Sequence, residues 1–277
     1  MKYILLIFSI ILCVSCNKTI KANDGSEQTS DKTIQIDSDT LAMSHDEIMK
    51  SVNIQSNTIK TIGILVYDGV NSLDVFGPKY VLNQIMGVDL KLIAVDSGHV
   101  KTVMGLEFVP NTTIAQVDSL DILVIPGGFR GTIEATKNEN ILNWIKSIDK
   151  TTTYTASVCT GGWILGSTGL LEGKKATTNW FKAEEMLASF GAEFTNERFT
   201  RDGKYWTSAG VTAGMDMALA MLVEIAGEDY AQGVMLDMEY DPYPPIEGGS
   251  PEKTKPEVLE FMTSMYEAGF NDIMSEL

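Results

Sequence analysis

The amino-acid sequence predicts an α/β domain, a mostly parallel sheet with helices on both faces. Three features carry that expectation. Its short β-rich runs are apolar throughout instead of alternating with polar residues, as in strands buried on both faces. Stretches of helical spacing separate those runs. The 277-residue chain is 44% hydrophobic, enough for one sizeable core.

The first strand is expected at residues 61–67, Thr61-Ile62-Gly63-Ile64-Leu65-Val66-Tyr67, closed by the turn pair Asp68-Gly69. Residues 73–85 have helical spacing, 90–95 and 121–125 repeat the strand pattern, and 132–148 are helical again. Tyr154-Thr155-Ala156-Ser157-Val158 is the next strand, followed by helical stretches at 160–169 and 181–190. Arg201-Asp202-Gly203-Lys204, between Phe199 and Tyr205, has the chemistry of a hairpin turn, so some antiparallel pairing is expected late in the chain. Helices over 213–226 and 258–268 complete the pattern. No internal repeat or second boundary interrupts residues 59–277, which are assigned to one domain.

The segment before that domain has a different character. Lys2 precedes an apolar run over residues 3–14, shorter than the about 20 residues a bilayer span requires, so it reads as a secretory signal. The run ends in Cys13-Val14-Ser15-Cys16, with a small residue before Cys16, and is similar to the lipobox of bacterial lipoprotein precursors. Cys13 departs from that pattern, which more often has Leu there. The expectation is a signal over 1–16, a lipid on Cys16 and a membrane-anchored protein facing the cell envelope; plain secretion with cleavage nearby is the alternative. Residues 17–58 have the polar, aromatic-free composition of a tether. A short helix over 45–52 could interrupt it, and His45 reads as a solvated residue.

Charge narrows the partners. Lys and Arg number 21 against 37 Asp and Glu, a net charge of −16 that opposes a polyanion, so nucleic acid is excluded. Three cysteines and two histidines are too few for a structural zinc site, and no metal is expected.

Open sheets of this kind bind ligands beyond the carboxyl ends of their strands. That places the site among residues 68–74, Pro126-Gly127-Gly128, Cys159 and residues 208–212. Cys159 follows its strand directly and Thr160-Gly161-Gly162 opens the next helix. Such a turn displays a nucleophile, and the helix N-terminus favours a thiolate. Free cysteines are also often inert core residues, and spacing alone does not separate the two.

Ser157-Val158-Cys159-Thr160-Gly161, followed by Gly169-Leu170-Leu171-Glu172-Gly173-Lys174-Lys175-Ala176-Thr177-Thr178-Asn179-Trp180, resembles the ThiJ/PfpI superfamily of class I amidotransferase-like domains. Within it, the likeness is to isonitrile hydratases and to the sensor domains of related transcription regulators. Leu73-Asp74-Val75-Phe76-Gly77-Pro78, Ile125-Pro126-Gly127-Gly128, Trp206-Thr207-Ser208-Ala209-Gly210-Val211-Thr212-Ala213-Gly214, Glu239-Tyr240-Asp241-Pro242 and Gly249-Ser250-Pro251 follow the same pattern, so the resemblance covers about 60–270. It implies a flavodoxin-like three-layer sandwich, a small-molecule substrate, no cofactor and a homodimer. For isonitrile hydratases it further implies a Cys nucleophile, an acid from the first strand-helix loop and the Thr after the Cys, here Cys159, Asp74 and Thr160.

A carboxyl facing a thiolate has its pKa raised by like charge and desolvation, so Asp74 and Cys159 are expected to share a proton. The alternative for Asp74 is an acid stabilising the first turn of its helix. Backbone N–H groups of Gly127, Gly128 and Thr160 could meet charge on a bound substrate, or the glycines could merely permit a tight turn. Relatives commonly have His where this chain has Asn179, which could bind a polar substrate group or cap the helix near Phe181. With no histidine in either motif, and His99 in an expected surface turn, a Cys-His-acid triad is hard to build.

Met215, Met217 and Met221 read as core, and Trp163, Trp180 and Trp206 as pocket walls or packing. The Pro/Gly-rich residues 240–251 resemble a segment near the pocket or a dimer contact. Hydration of isonitrile-like electrophiles is the leading expectation. A non-catalytic sensing domain and a glyoxalase-like or redox protein with a low-pKa Cys159 are its competitors.

Overall fold

The computed structural model describes residues 58–277, and Glu47 ahead of them. The expected signal, Cys16, the tether and His45 lie outside the described residues. Among the described residues, nine of eleven strands fall in chain order before the hairpin: β1 (Thr61–Val66), β2 (Asp89–Ala94), β3 (Val100–Lys101), β4 (Glu107–Phe108), β5 (Thr112–Thr113), β6 (Ile122–Ile125), β7 (Tyr154–Val158), β8 (Lys175–Ala176) and β9 (Glu193–Phe194). β10 (Phe199–Asp202) and β11 (Tyr205–Ser208) form the hairpin.

Seven of these make one sheet in the order β10-β11-β7-β6-β1-β2-β5, parallel everywhere except the β10–β11 pair. Its register aligns Leu92, Ile64, Val124, Ala156 and Trp206 in one row across five strands, all buried. β6, in the middle, is buried at all four positions, as its unbroken apolar run requires. The hairpin turns on Gly203 and Lys204, and Gly203 at φ 61° supplies the left-handed backbone that the first turn position needs.

Two helical layers cover the sheet. α1 (Ser72–Leu82) packs on α6 (Ala213–Ala226), which packs on α7 (Glu228–Asp237). Among the other helices, α2 (Arg130–Thr136) contacts α3 (Glu139–Asp149), α4 (Gly161–Ser167) and α8 (Pro256–Glu276), while α5 (Ala183–Ser189) packs on α4. The three-layer α/β sandwich is therefore the predicted one.

Three details differ from expectation. The helix expected over 132–148 is two, because the Asn138 side chain accepts from the N–H groups of Asn140 and Ile141 and starts α3 afresh. α7 was not foreseen: it buries only Ala231 and Val234, so its apolar period is faint. α8 is longer than the expected 258–268, starting at Pro256, whose fixed φ and missing N–H suit the first helical position.

The central layer should dominate stability. Leu123→Ala, at a fully buried position on β6, is expected to lower the unfolding free energy by about 2–5 kcal/mol. Val109→Ala, at a position 65% exposed, should stay within about 0.5 kcal/mol of the parent. Urea unfolding followed by circular dichroism reads both.

Candidate active site

Cys159 is the first residue after β7 and has φ 57°. A left-handed conformation costs an L residue roughly 1–2 kcal/mol, so it persists only where neighbours fix it. Here the Cys159 N–H donates to Ser208 C=O at 3.1 Å, and its own C=O accepts from Thr178 Oγ1 at 2.7 Å and from Gly162 N–H at 3.3 Å. The strand thus ends against β11 on one side and the Thr178 hydroxyl on the other.

Asp74 reaches the same place from α1. Asn71 caps that helix by accepting from Leu73 N–H at 3.0 Å, which puts Asp74 in the first turn on its buried side. Both readings of Asp74 therefore hold at once: it is a first-turn acid, and it faces the thiol. Its Oδ2 accepts from Gly127 N–H at 3.1 Å, whereas the buried Oδ1 has no hydrogen-bond partner among the described residues.

Burial and neighbours act in opposition on these two acids. Burial pushes Asp74 from its ordinary 3.8 up to about 7, against the pull of the Gly127 N–H and the thiol, which favour the carboxylate. Burial also pushes the Cys159 thiol up, and the Asp74 charge adds to that, while the Thr160 N–H and the Asn179 amide pull it down. The expectation of a low-pKa thiol is corrected here: desolvation and the facing carboxyl outweigh the donors at the helix start. The pair therefore behaves as one site whose protons are shared.

Asn179 is not the cap of α5, which falls at Lys182; its amide instead bridges the Phe181 backbone and the thiol. Its Oδ1 accepts from Phe181 N–H at 3.1 Å, and that bond turns the NH2 group onto Cys159 Sγ at 3.3 Å. The glycine amides are also engaged within the protein: Gly127 N–H on Asp74 and Gly128 N–H on Thr160 Oγ1 at 3.0 Å. A Cβ on Gly127 would lie 2.5 Å from Thr160 Oγ1, and one on Gly128 2.1 Å from Gly69 O, so the close backbone approach itself requires glycine at both positions.

Above the thiol stands an aromatic group that sequence reasoning did not assemble. Tyr266 of α8 packs 5.1 Å from Phe129, 5.2 Å from Trp180 and 5.3 Å from Phe181, ring centre to ring centre. Its phenol is raised by burial and, less, by the Cys159 charge, so it lies within electrostatic reach of the sulfur. Phe129 and Trp180 directly follow Gly128 and Asn179, the one hint the sequence offered. Trp163 and Trp206 are packing residues, whereas Trp180 lines a cavity of about 780 Å³ together with Thr178, Arg198 and residues 248–253. That cavity reaches the neighbours of the thiol and not the thiol itself, which is 7% exposed. His99 is exposed and lines a separate cavity of about 400 Å³.

Residues 60–224, more than half of the chain, match the sequence profile of the DJ-1/PfpI family. The chain belongs to that family. The isonitrile hydratase of Pseudomonas putida is 39% identical over 199 residues, covering 72% of this chain and 86% of that protein. A crystal structure of a ThiJ/PfpI family protein from Pseudomonas syringae superimposes with a TM-score of 0.77 at 33% identity, covering 88% of this chain and 97% of that one. The transcriptional regulator CdhR of Pseudomonas aeruginosa is 26% identical over 141 residues, half of this chain and 41% of the regulator. Asp74, Cys159, Thr160 and Asn179 all lie within the DJ-1/PfpI match; Tyr266 lies beyond it.

Raising the Asp74 pKa has a stability consequence with a definite sign. Between pH 3.8 and about 7 the unfolded carboxyl is ionised while the folded one keeps its proton, so stability falls as pH rises through that window. The full effect, on the order of 4 kcal/mol, is reached above pH 7. Asp74→Asn should therefore gain stability relative to the parent on going from pH 4 to pH 8, read as the difference in urea midpoints; a difference that stays flat with pH would show an ordinary carboxyl.

Proposed function

We propose that the chain is a hydratase of isonitrile-like small electrophiles, with Cys159 as nucleophile and Asp74 as acid and base. The observation that carries the reading is the buried thiol on a strained turn facing a carboxyl with a raised pKa. The 39% identity to an isonitrile hydratase supports the choice of electrophile.

The active form has lost one of the pair's two protons, which leaves Asp74 as carboxylate and Cys159 as thiol; the carboxylate takes the thiol proton as substrate is attacked, so the reacting form is thiolate and carboxylic acid. Sulfur bonds to the terminal carbon of R–N≡C while the Asp74 proton passes to that carbon, giving the thioimidate Cys–S–CH=N–R. The Asp74 carboxylate then takes a proton from water as the oxygen bonds to the same carbon, and hands it to nitrogen. When the C–S bond breaks, the hydroxyl proton returns to Asp74, leaving R–NH–CHO and the thiolate. Atoms and charge balance, and the pair ends in its starting state. The Thr160 N–H and Asn179 amide stabilise the thiolate on departure.

A second reading rests on the enclosure of the thiol: a domain that binds a small molecule without turning it over. The regulator CdhR among the relatives makes the reading concrete. Redox sensing is disfavoured, since a buried thiol with a raised pKa is a poor target for oxidants.

Incubation of the full chain with a simple alkyl isonitrile should yield the N-alkyl formamide. Cys159→Ala should abolish it, and Asp74→Asn should slow it by about 10²–10⁴-fold. Because the pair must first lose one of its two protons, kcat/KM should rise through about pH 7. Full turnover by Cys159→Ala would sink the mechanism, and stoichiometric binding without formamide would favour the sensing domain.

We propose further that Cys16 carries a lipid and holds the protein at the cell envelope, on the strength of the Cys13-Val14-Ser15-Cys16 pattern after a short apolar run. Growth with a labelled fatty acid should label the parent and leave Cys16→Ser unlabelled; equal labelling of the two would overturn it.

A further inference from the structure

Behind the site, three buried hydroxyls from three elements form a chain. Tyr67, one residue past β1, donates to Pro126 C=O at 2.7 Å and stands 3.1 Å from Thr132 Oγ1. Thr132, in α2, stands 2.9 Å from Thr160 Oγ1, which accepts from Gly128 N–H at 3.0 Å.

Each hydroxyl has one hydrogen, so the directions follow from the ends. A carbonyl can only accept; the Tyr67 hydrogen is therefore committed to Pro126. Thr132 must then donate to Tyr67, and Thr160 to Thr132. The run is Gly128 N–H to Thr160 to Thr132 to Tyr67 to Pro126 C=O, with every link satisfied and aligned head to tail. Both ends lie on one three-residue loop, and the residue between them is Gly127. Its C=O accepts from Asn71 N–H at 2.8 Å, and its N–H is the donor to Asp74.

The geometry points to Tyr67 and Thr132 as positioning residues for the reacting pair: with the Thr160 hydroxyl they fix the loop at 126–128 so that the Gly127 N–H meets the Asp74 carboxylate. The inference rests on the reading of Asp74 and Cys159 as the proton-sharing pair, and it gives the Thr160 hydroxyl a supporting task in place of contact with substrate. Thr160 is 2% exposed and Thr132 0%, which suits a frame behind the site.

The titratable groups that face Asp74 are Cys159, from the β7–α4 turn, and the Tyr67 phenol, past β1. Tyr266 of α8 faces Cys159. α6, packed on α1, brings Met215 against Gly77 and Gly214 near Pro78. Burial holds the Tyr67 phenol protonated, so Tyr67→Phe takes away the two hydrogen bonds of its hydroxyl and no charge.

The test follows iodoacetamide alkylation of Cys159 in the full chain across pH, with the Cys159 peptide resolved by mass spectrometry and formamide production assayed in parallel. Loss of the Gly127 donor destabilises the carboxylate, so Asp74 holds its proton to higher pH. The first rise in alkylation should move up by about one pH unit in Tyr67→Phe and in Thr132→Val. Thr132→Ser keeps the hydroxyl and should restore the parent profile. Tyr67→Phe keeps the ring in place, so it decides the matter if Thr132→Val does not fold. A profile unmoved in Tyr67→Phe, or moved equally by Thr132→Ser and Thr132→Val, would overturn the assignment. A shifted profile in a protein whose parent makes no formamide would leave the positioning role standing and remove the hydratase reading instead.

Discussion

Two buried acids that face each other can hold only one negative charge between them, and the site of this protein is built around that limit. Desolvation raises both Asp74 and Cys159, and ionising either makes the other harder to ionise. The surrounding donors all act the other way: Gly127 N–H on the carboxylate, Thr160 N–H and the Asn179 amide on the sulfur. None of these donors can itself give up a proton near neutral pH. The single mobile proton is thereby confined to the pair, and the surrounding hydrogen bonds decide how readily it moves between the two.

The Asn179 position shows what that confinement does to the chemistry. A histidine against the sulfur would take the thiol proton and leave the carboxyl as its orienting partner, the arrangement of an acyl-transfer triad. An amide anchored by Phe181 N–H can only donate to sulfur. In the proposed hydration, proton transfer to the substrate carbon then falls to Asp74, whose pKa near 7 suits both giving and taking a proton at neutral pH. Addition to a carbon that must gain a hydrogen fits such a site better than expulsion of an amine.

What could be seen in the sequence was what is local. The apolar runs of β1, β6 and β7 announce a buried parallel sheet because each carries its own period, and Cys159 is conspicuous because a strand meets a glycine-rich helix start on either side of it. Asp74 is different. Its local setting reads as a helix-start acid, and only the resemblance of its motif assigned it to the thiol. The chain of Tyr67, Thr132 and Thr160 has no local signature: its members are 65 and 28 residues apart and meet because β1, β6 and β7 are neighbours in the sheet. Tyr266 was invisible for the same reason, since nothing in the period of α8 reveals which layer it caps.

Strain and burial at the site have one origin, the two-residue connection of Cys159 and Thr160 between β7 and α4. With Thr160 already in the helical conformation, Cys159 turns the chain in a left-handed conformation, and the helix start is drawn against the loop at 126–128 tightly enough that Gly127 cannot carry a side chain. That closeness lets one backbone amide serve the carboxylate, the next serve a hydroxyl, and the thiol lie within reach of both. A longer connection would relieve the strain at Cys159, but it would also withdraw the Thr160 N–H from the sulfur and the Thr160 hydroxyl from Gly128. The strained turn, roughly 1–2 kcal/mol against the fold, is therefore inseparable from the hydrogen bonds that tune the pair, and the wholly buried strands beside it supply the stability that offsets it.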